Sequence, residues 1–258
     1  MAFNSAIQPS RELKTPPLRQ EIPLWPEPLN RKLLGAEKFI VDFGCGDCRV
    51  TAELARLSPR NFILGVDQSC PRGTLLLEPF ESKELMNAVG VHGDMKHFDF
   101  DTLGRYPDEI YMIFPTPTEL AKSALSIASQ FISLATKNSD LKITIVTEIS
   151  ISREPVATDA ASSGLRNMID HLEAKGFTST IQAAPASHVA EAFILQNSHG
   201  WASYVRWLKA AVEEGLCDAE AVFPVQLSRI ELRAPYRLPI QHPTPQPPLS
   251  HEEPIVAL

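Results

Sequence analysis

The sequence predicts an α/β chain with a doubly wound, mostly parallel sheet. Three observations carry that prediction. Short β-branched apolar runs alternate with longer amphipathic stretches along most of the chain. The first apolar run leads into a two-glycine turn and then a helical pattern at residues 38–57. Acidic or aromatic residues repeatedly close the strand-like runs: Asp42, Asp67, Asp94, Phe114 and Glu148. In an open parallel sheet such ends share one rim, where ligands bind.

The first unit runs from Lys38 to Pro59. Ile40 and Val41 supply the strand, and Gly44 and Gly46 permit a tight turn and close approach of a ligand to the backbone. Val50, Leu54 and Leu57 then share one helix face, and Pro59 ends the helix. Exposed N–H groups at such a helix start favour an anionic group. A second strand, Asn61 to Val66, ends in Asp67. A right-handed crossover brings Asp67 beside Gly44 and Gly46, where a carboxylate accepts hydrogen bonds from a ribose diol.

The remaining elements follow in order. A helix is expected over Leu75–Met86, and a short third strand from Ala88 into Gly93-Asp94-Met95. Residues 109–115 read as a fourth strand, followed by a helix from Thr118 to about Ala135 with Leu120, Leu125, Ile127, Ala128, Phe131, Ile132 and Leu134 as its apolar positions. Leu141–Thr147 is a fifth strand, ending at Glu148. A helix from Ala160 to Lys175 stops at Gly176, and a sixth strand covers Thr178–Gln182. Ala192–Gln196 suits strand or helix, Trp201–Glu214 is helical, and Leu227–Arg233 alternates as a terminal strand. Seven strands result.

Pro16, Pro17, Pro23, Pro26 and Pro28 mark residues 1–36 as an extended arm with a short helix, in which Trp25 has most reason to be buried. Residues 37–234 form the domain, and residues 235–258, with seven prolines, form a polyproline-like tail.

With Lys+Arg 24 against Asp+Glu 31 the net charge is −7, which speaks against a broad nucleic-acid-binding face. Residues 1–9 lack the basic and apolar regions of a signal peptide, and no apolar run is long enough to span a bilayer. A cytoplasmic location without membrane attachment is expected. Cys45-Gly46-Asp47-Cys48 spells C-x-x-C at a helix start, so thiol redox chemistry is an alternative use of this turn. That use explains neither Asp42 nor Asp67. No second close cysteine pair accompanies it, so no metal site is expected.

An Arg at 49 stands where a dinucleotide-binding G-x-G-x-x-G turn has its third glycine. The series Asp42-Phe43-Gly44-Cys45-Gly46 instead resembles motif I of the class I S-adenosylmethionine-dependent methyltransferases, with Cys48 at the place of a common third glycine. The resemblance implies a Rossmann-like fold with helices on both faces and S-adenosyl-L-methionine as cofactor. It implies cofactor contacts from Asp42, Gly44, Cys45 and Gly46, from Asp67 and Gln68, from Asp94 and Met95, and from Phe114. Ile110-Tyr111-Met112-Ile113-Phe114-Pro115-Thr116-Pro117 further resembles the Phe-Pro-Asp-Pro-Trp signature of the tRNA (guanine-N7) methyltransferase family, and Thr147-Glu148 stands where that family has Thr-Asp.

Two departures bear on the acceptor. The family's catalytic Asp is Thr116 here, and its following Trp and Lys are absent. A hydroxyl does not replace a carboxylate as base. The expectation is therefore a small-molecule methyltransferase, with Glu148 as acceptor-orienting group or base and Thr116 as its hydrogen-bonding companion. Tyr111, Phe114, Trp201, Tyr204 and Trp207 are candidates to wall an aromatic acceptor pocket. The alternatives are a tRNA guanine-N7 enzyme with a divergent motif and a non-catalytic cofactor-binding partner protein. The sequence fixes no oligomeric state.

Overall fold

The computed structural model describes residues 25–148, 160–195, 198–222 and 225–235. Helix α1 (Glu27–Gly35) leads into β1 (Phe39–Phe43), α2 (Arg49–Leu57) and β2 (Phe62–Asp67). A two-residue β3 (Leu75–Leu76) and a short α3 (Glu78–Glu81) precede β4 (Ala88–His92). Then come β5 (Glu109–Ile113), α4 (Pro117–Lys137), β6 (Lys142–Thr147) and α5 (Ala160–Glu173). Strand β7 (Thr178–Pro185), helices α6 (Ala192–Leu195), α7 (His199–Glu213) and α8 (Ala219–Val222), and β8 (Gln226–Arg233) complete the order.

The sheet runs β3-β4-β2-β1-β5-β6-β8-β7. Strands β4, β2, β1, β5 and β6 are parallel, while β8 is antiparallel to both β6 and β7. The sheet has eight strands, not the seven expected. The addition is β3, which pairs antiparallel with β4 through Leu75–Val91 and Leu76–Gly90. It lies in the stretch expected to be helical over Leu75–Met86. Pro79 marks the difference: a proline suits a helix's first turn, where its missing N–H is not needed, so the helix starts at Glu78, and Leu75–Leu76 ahead of it pair with β4. Gly90 admits the edge strand, since a Cβ there would stand 3.1 Å from the Leu76 Cβ.

Both faces of the central strands are covered, as their continuous apolar runs require. Along β1, Phe39, Val41 and Phe43 point into one core with α1, α4 and α5, while Ile40 points into another with α2, α3, α6 and α7. Strand β2 repeats the alternation, with Phe62, Leu64 and Val66 against Ile63. On α4, Leu120, Ala124, Ile127, Ala128, Phe131, Leu134 and Ala135 form the buried stripe; Leu125 faces solvent. Trp25 packs on the first core, with its ring 5.6 Å from that of Phe62. Residues 1–24 of the expected arm and 236–258 of the expected tail lie outside the described residues.

Among the described residues no helix is long and apolar enough to cross a membrane.

Candidate functional site at the carboxyl edge of the sheet

The turn after β1 takes its shape from two residues in left-handed backbone, Gly44 at φ +79° and Gly46 at φ +55°. A Cβ built on either meets no atom within 4 Å, so the turn faces open space and its glycines serve the backbone. The Gly44 N–H donates to the Val66 carbonyl at 2.8 Å, continuing the sheet one residue past β1. The Gly46 N–H donates to Asp67 Oδ2 at 3.1 Å. Asp67 Oδ1 accepts the Ser69 N–H at 2.7 Å. The crossover thus brings Asp67 against the glycine turn, as the spacing requires. Each carboxylate oxygen keeps a lone pair for a further donor.

Asp42 is placed differently. It is 1% exposed and accepts the Thr51 hydroxyl at 2.7 Å, so it sits under the turn and braces it from α2. Burial pushes its carboxyl up to about 7, against the Thr51 hydrogen bond, with the charges of Asp67 and Cys70 adding to the rise. Asp94 is half-buried after β4 and pairs with the Lys96 ammonium at 3.3 Å. Lys96 also reaches Ser123 on α4 at 3.3 Å, and its backbone N–H donates to Asp94 at 3.0 Å. Met95 packs on the first core. Gln68 is exposed in the turn after Asp67.

Phe114, just past β5, is the third point of the rim. It is a non-glycine residue at φ +55°, a conformation costing about 1 kcal/mol that marks a constrained turn. Its N–H donates to the Val146 carbonyl at 2.8 Å, and α7 presses against it through Gly200. A Cβ on Gly200 would lie 2.9 Å from that of Phe114. Ser198 caps α7 by accepting the Trp201 N–H, which directs the first turn towards β5. Trp201 then meets Phe114 edge-on at 5.6 Å, Tyr204 meets it at 5.9 Å, and Trp207 stacks on Tyr204 at 6.1 Å. Trp207 is 62% exposed, so the aromatic row opens to solvent.

Four of the five aromatic candidates therefore meet. Tyr111 does not join the row: it lies within β5, its hydroxyl donating to Glu109 at 3.4 Å. Glu148, past the end of β6, accepts the Thr147 hydroxyl at 3.3 Å. Burial raises its carboxyl above the usual range, opposed by its own backbone N–H and by Thr147. The Tyr204 hydroxyl is raised by burial and then by the Glu148 charge, and Glu148 follows β6, the strand beside the β5 end that carries Phe114. Thr116 is exposed, and its carbonyl accepts the Leu120 N–H at the start of α4.

The structure adds a residue that the sequence reading left out. Cys70 joins Cys45 and Cys48 in a buried cluster beneath the turn, its sulfur 3.9 Å from that of Cys45. The Cys45 and Cys48 sulfurs are 3.4 Å apart. Hydrogen bonding with Cys45 first and then Cys48 pulls Cys70 down to about 4, while hydrogen bonding with Cys48 first and then Cys70 pushes Cys45 up. The signal was available: Cys70 follows Asp67 by three positions, and the crossover that delivers Asp67 delivers Cys70 too.

No protein-family model matches the chain, and no curated protein sequence matches it. Solved structures do match. The 16S rRNA (adenine(1408)-N(1))-methyltransferase from Catenulisporales acidiphilia aligns with 84% of this chain and 97% of its own, at 17% identity and a TM-score of 0.51. A point mutant of that enzyme aligns over the same shares, at 16% identity and a TM-score of 0.50. The aminoglycoside resistance methyltransferase NpmB1 aligns over 80% and 91%, at 14% identity and a TM-score of 0.47. The finer tRNA (guanine-N7) resemblance rests on its sequence motif alone. With its parallel core and antiparallel β8, the chain has the Rossmann-like α/β fold of the first two methyltransferases.

Proposed function

We propose that this chain is an S-adenosylmethionine-dependent methyltransferase acting on a planar aromatic small molecule. One observation carries the reading. The open glycine turn, Asp67, Asp94 and an aromatic row beside a half-buried acid all stand on the same carboxyl edge of the sheet.

The residues suit the cofactor. The turn at Gly44–Gly46 has no side chain to obstruct a ligand, and Asp67 is oriented by two backbone N–H groups while keeping lone pairs for a ribose diol. Gln68 extends the rim beside Asp67. Asp94 and the backbone of Met95 suit the adenine edge, with Lys96 fixing the carboxylate. Cys45 contributes its backbone, since its side chain is buried below the turn. Asp42 acts through the turn it braces. When bound, S-adenosylmethionine supplies an activated methyl group, so the protein's work is alignment.

Phe114, Trp201, Tyr204 and Trp207 offer faces for stacking a flat acceptor. Glu148 accepts the acceptor's proton or orients its N–H or O–H, and Thr116 is a hydrogen-bonding residue at the opening of α4. Because burial raises Glu148, its ionised fraction, and turnover with it, increases with pH through that raised value.

A second reading is a base within RNA, on the ground that the first two structural neighbours are named as 16S rRNA adenine enzymes. The net charge of −7 favours the small acceptor.

Calorimetry with S-adenosylmethionine and with its demethylated product tests the cofactor. Saturable heat is expected, weakened at least tenfold in Asp67→Ala; absence of heat with both overturns the reading. Radiolabelled transfer to a set of flat heterocycles and to total RNA separates the acceptors. Glu148→Gln is expected to keep cofactor affinity and lose turnover.

A further inference from the structure

We propose that Cys45, Cys48 and Cys70 form a binding site for one thiophilic d10 metal ion, Zn(II) or Cu(I), held by three thiolates. The three sulfurs lie within 4.8 Å of one another, with two of the separations at 3.4 and 3.9 Å. A metal–sulfur bond is about 2.3 Å, so three sulfurs around one ion stand roughly 3.8–4.0 Å apart. One separation already lies in that range and the other is about 0.4 Å short of it. A disulfide needs about 2.05 Å and has no use for a third sulfur.

The surrounding strands make room for this cluster. Gly65, in the middle of β2, would place a Cβ 2.9 Å from the Cys45 sulfur. Gly90, in the middle of β4, would place one 2.7 Å from the Cys48 sulfur. Two neighbouring strands thus carry glycine where the sulfurs descend, although strand interiors favour branched side chains. Cys48 itself takes left-handed backbone at φ +61° as the residue before α2, an uncommon conformation that keeps its sulfur in the cluster.

The donor set selects the ion. Thiolates favour Zn(II), Cu(I) and their congeners over hard cations. Each sulfur binds as a thiolate, any thiol proton passing to solvent, and each forms one metal–sulfur bond, leaving a net charge of −1 with Zn(II) or −2 with Cu(I). The first turn of α2, which begins at the next residue, presents its positive end to that charge. The ion would clasp the turn after β1 to the turn after β2, the two segments that the Gly46–Asp67 hydrogen bond already joins. The inference stands on the sulfurs and does not depend on the methyltransferase reading.

The test uses the full chain, reduced and free of oxygen, titrated with Cd(II) as an ultraviolet charge-transfer probe. A thiolate–metal band that saturates at one equivalent is expected, with the melting temperature raised. Zn(II) and Cu(I), added separately against the Cd(II) form, should each displace it and so report their own affinities for the site. Cys48→Ser and Cys70→Ser should each weaken binding at least a hundredfold, and Cys217→Ser should leave it unchanged. Should a cluster variant fail to fold, alkylation mass spectrometry on the unaltered chain, in denaturant low enough to open the cluster and with and without metal, decides: metal must slow modification of those three thiols and leave that of Cys217 unchanged. A band that never saturates, shielding confined to Cys217, or a Cys45–Cys48 disulfide in protein isolated under reducing conditions overturns the proposal.

Discussion

Asp42 shows how much a single residue's neighbours add to its position in the chain. Its place at a strand end fits a ligand-binding acid, yet it is 1% exposed and bonded to Thr51. Strand periodicity locates the residue but does not report the hydroxyl nine positions on that binds it. The consequence is measurable. Burial lifts the carboxyl from 3.8 to about 7, so between those values the folded chain keeps a proton that the unfolded chain has released. Stability on this account is greatest below about pH 4 and falls as pH rises to about 7, by about 1.4 kcal/mol per unit at most. Asp42→Asn keeps an oxygen for Thr51 and removes the titration. Urea unfolding should show the variant more stable than the parent by about 1–4 kcal/mol at pH 8, with little difference at pH 4. An equal loss at both pH values would mean that packing, and not charge, governs the position.

At the scale of elements, the contact between α4 and α5 rests on Gly164. A Cβ there would lie 2.4 Å from the Leu120 carbonyl oxygen and 2.9 Å from its carbon, both of them backbone atoms that cannot swing away. Gly164→Ala gains about 1 kcal/mol of helix propensity. Driving the two helices apart costs typically 1–3 kcal/mol and more where backbone is involved. The clash wins, and a net loss of about 1–2 kcal/mol should lower the urea midpoint with the slope unchanged. In sequence, Gly164 is merely a weak helix former; its value lies in a neighbour 44 positions away. The long elements themselves were legible, because period 3.6 over 117–137 and alternation over 226–233 are hard to mistake. The edge at 75–86 was not, since an apolar pair beside a proline suits a strand as well as a helix, and only pairing with β4 decides. Of the site, strand ends carried Asp67, Asp94, Phe114 and Glu148 to one rim. Cys70 travels on the same crossover as Asp67, three positions on, and Lys96 stands two positions past Asp94, but neither residue closes a strand, so attention to strand ends passes over both.

Across the whole molecule, the antiparallel strand β8 does more than extend the sheet. It carries Arg229, whose guanidinium holds the carboxylate of Glu191 at 2.9 and 3.0 Å just ahead of α6. Glu231, on the same strand, binds Arg229 at 3.3 Å and Lys142 of β6 at 3.2 Å. The network ties the segment that leads into α7, with its aromatic row, back to the parallel half of the sheet. Glu191 is 6% exposed and the Arg229 side chain 14%, so this pair differs from the surface pairs at Glu27–Arg31 and Glu37–Arg60. Exposed pairs contribute about 0–1 kcal/mol, whereas stripping one partner from a buried pair typically costs about 3–5 kcal/mol because a charge is left alone. Arg229→Met should therefore destabilise by roughly 3 kcal/mol or more and hasten amide exchange through residues 189–213. Adding Glu191→Met should restore much of that loss, since a packed apolar pair often replaces an ion pair at little cost. A double-mutant cycle by denaturant unfolding measures the coupling. A value near zero, with Arg229→Met alone costing under about 1 kcal/mol, would show that the aromatic row is held by its packing on Phe114 and not by the sheet's charged strand.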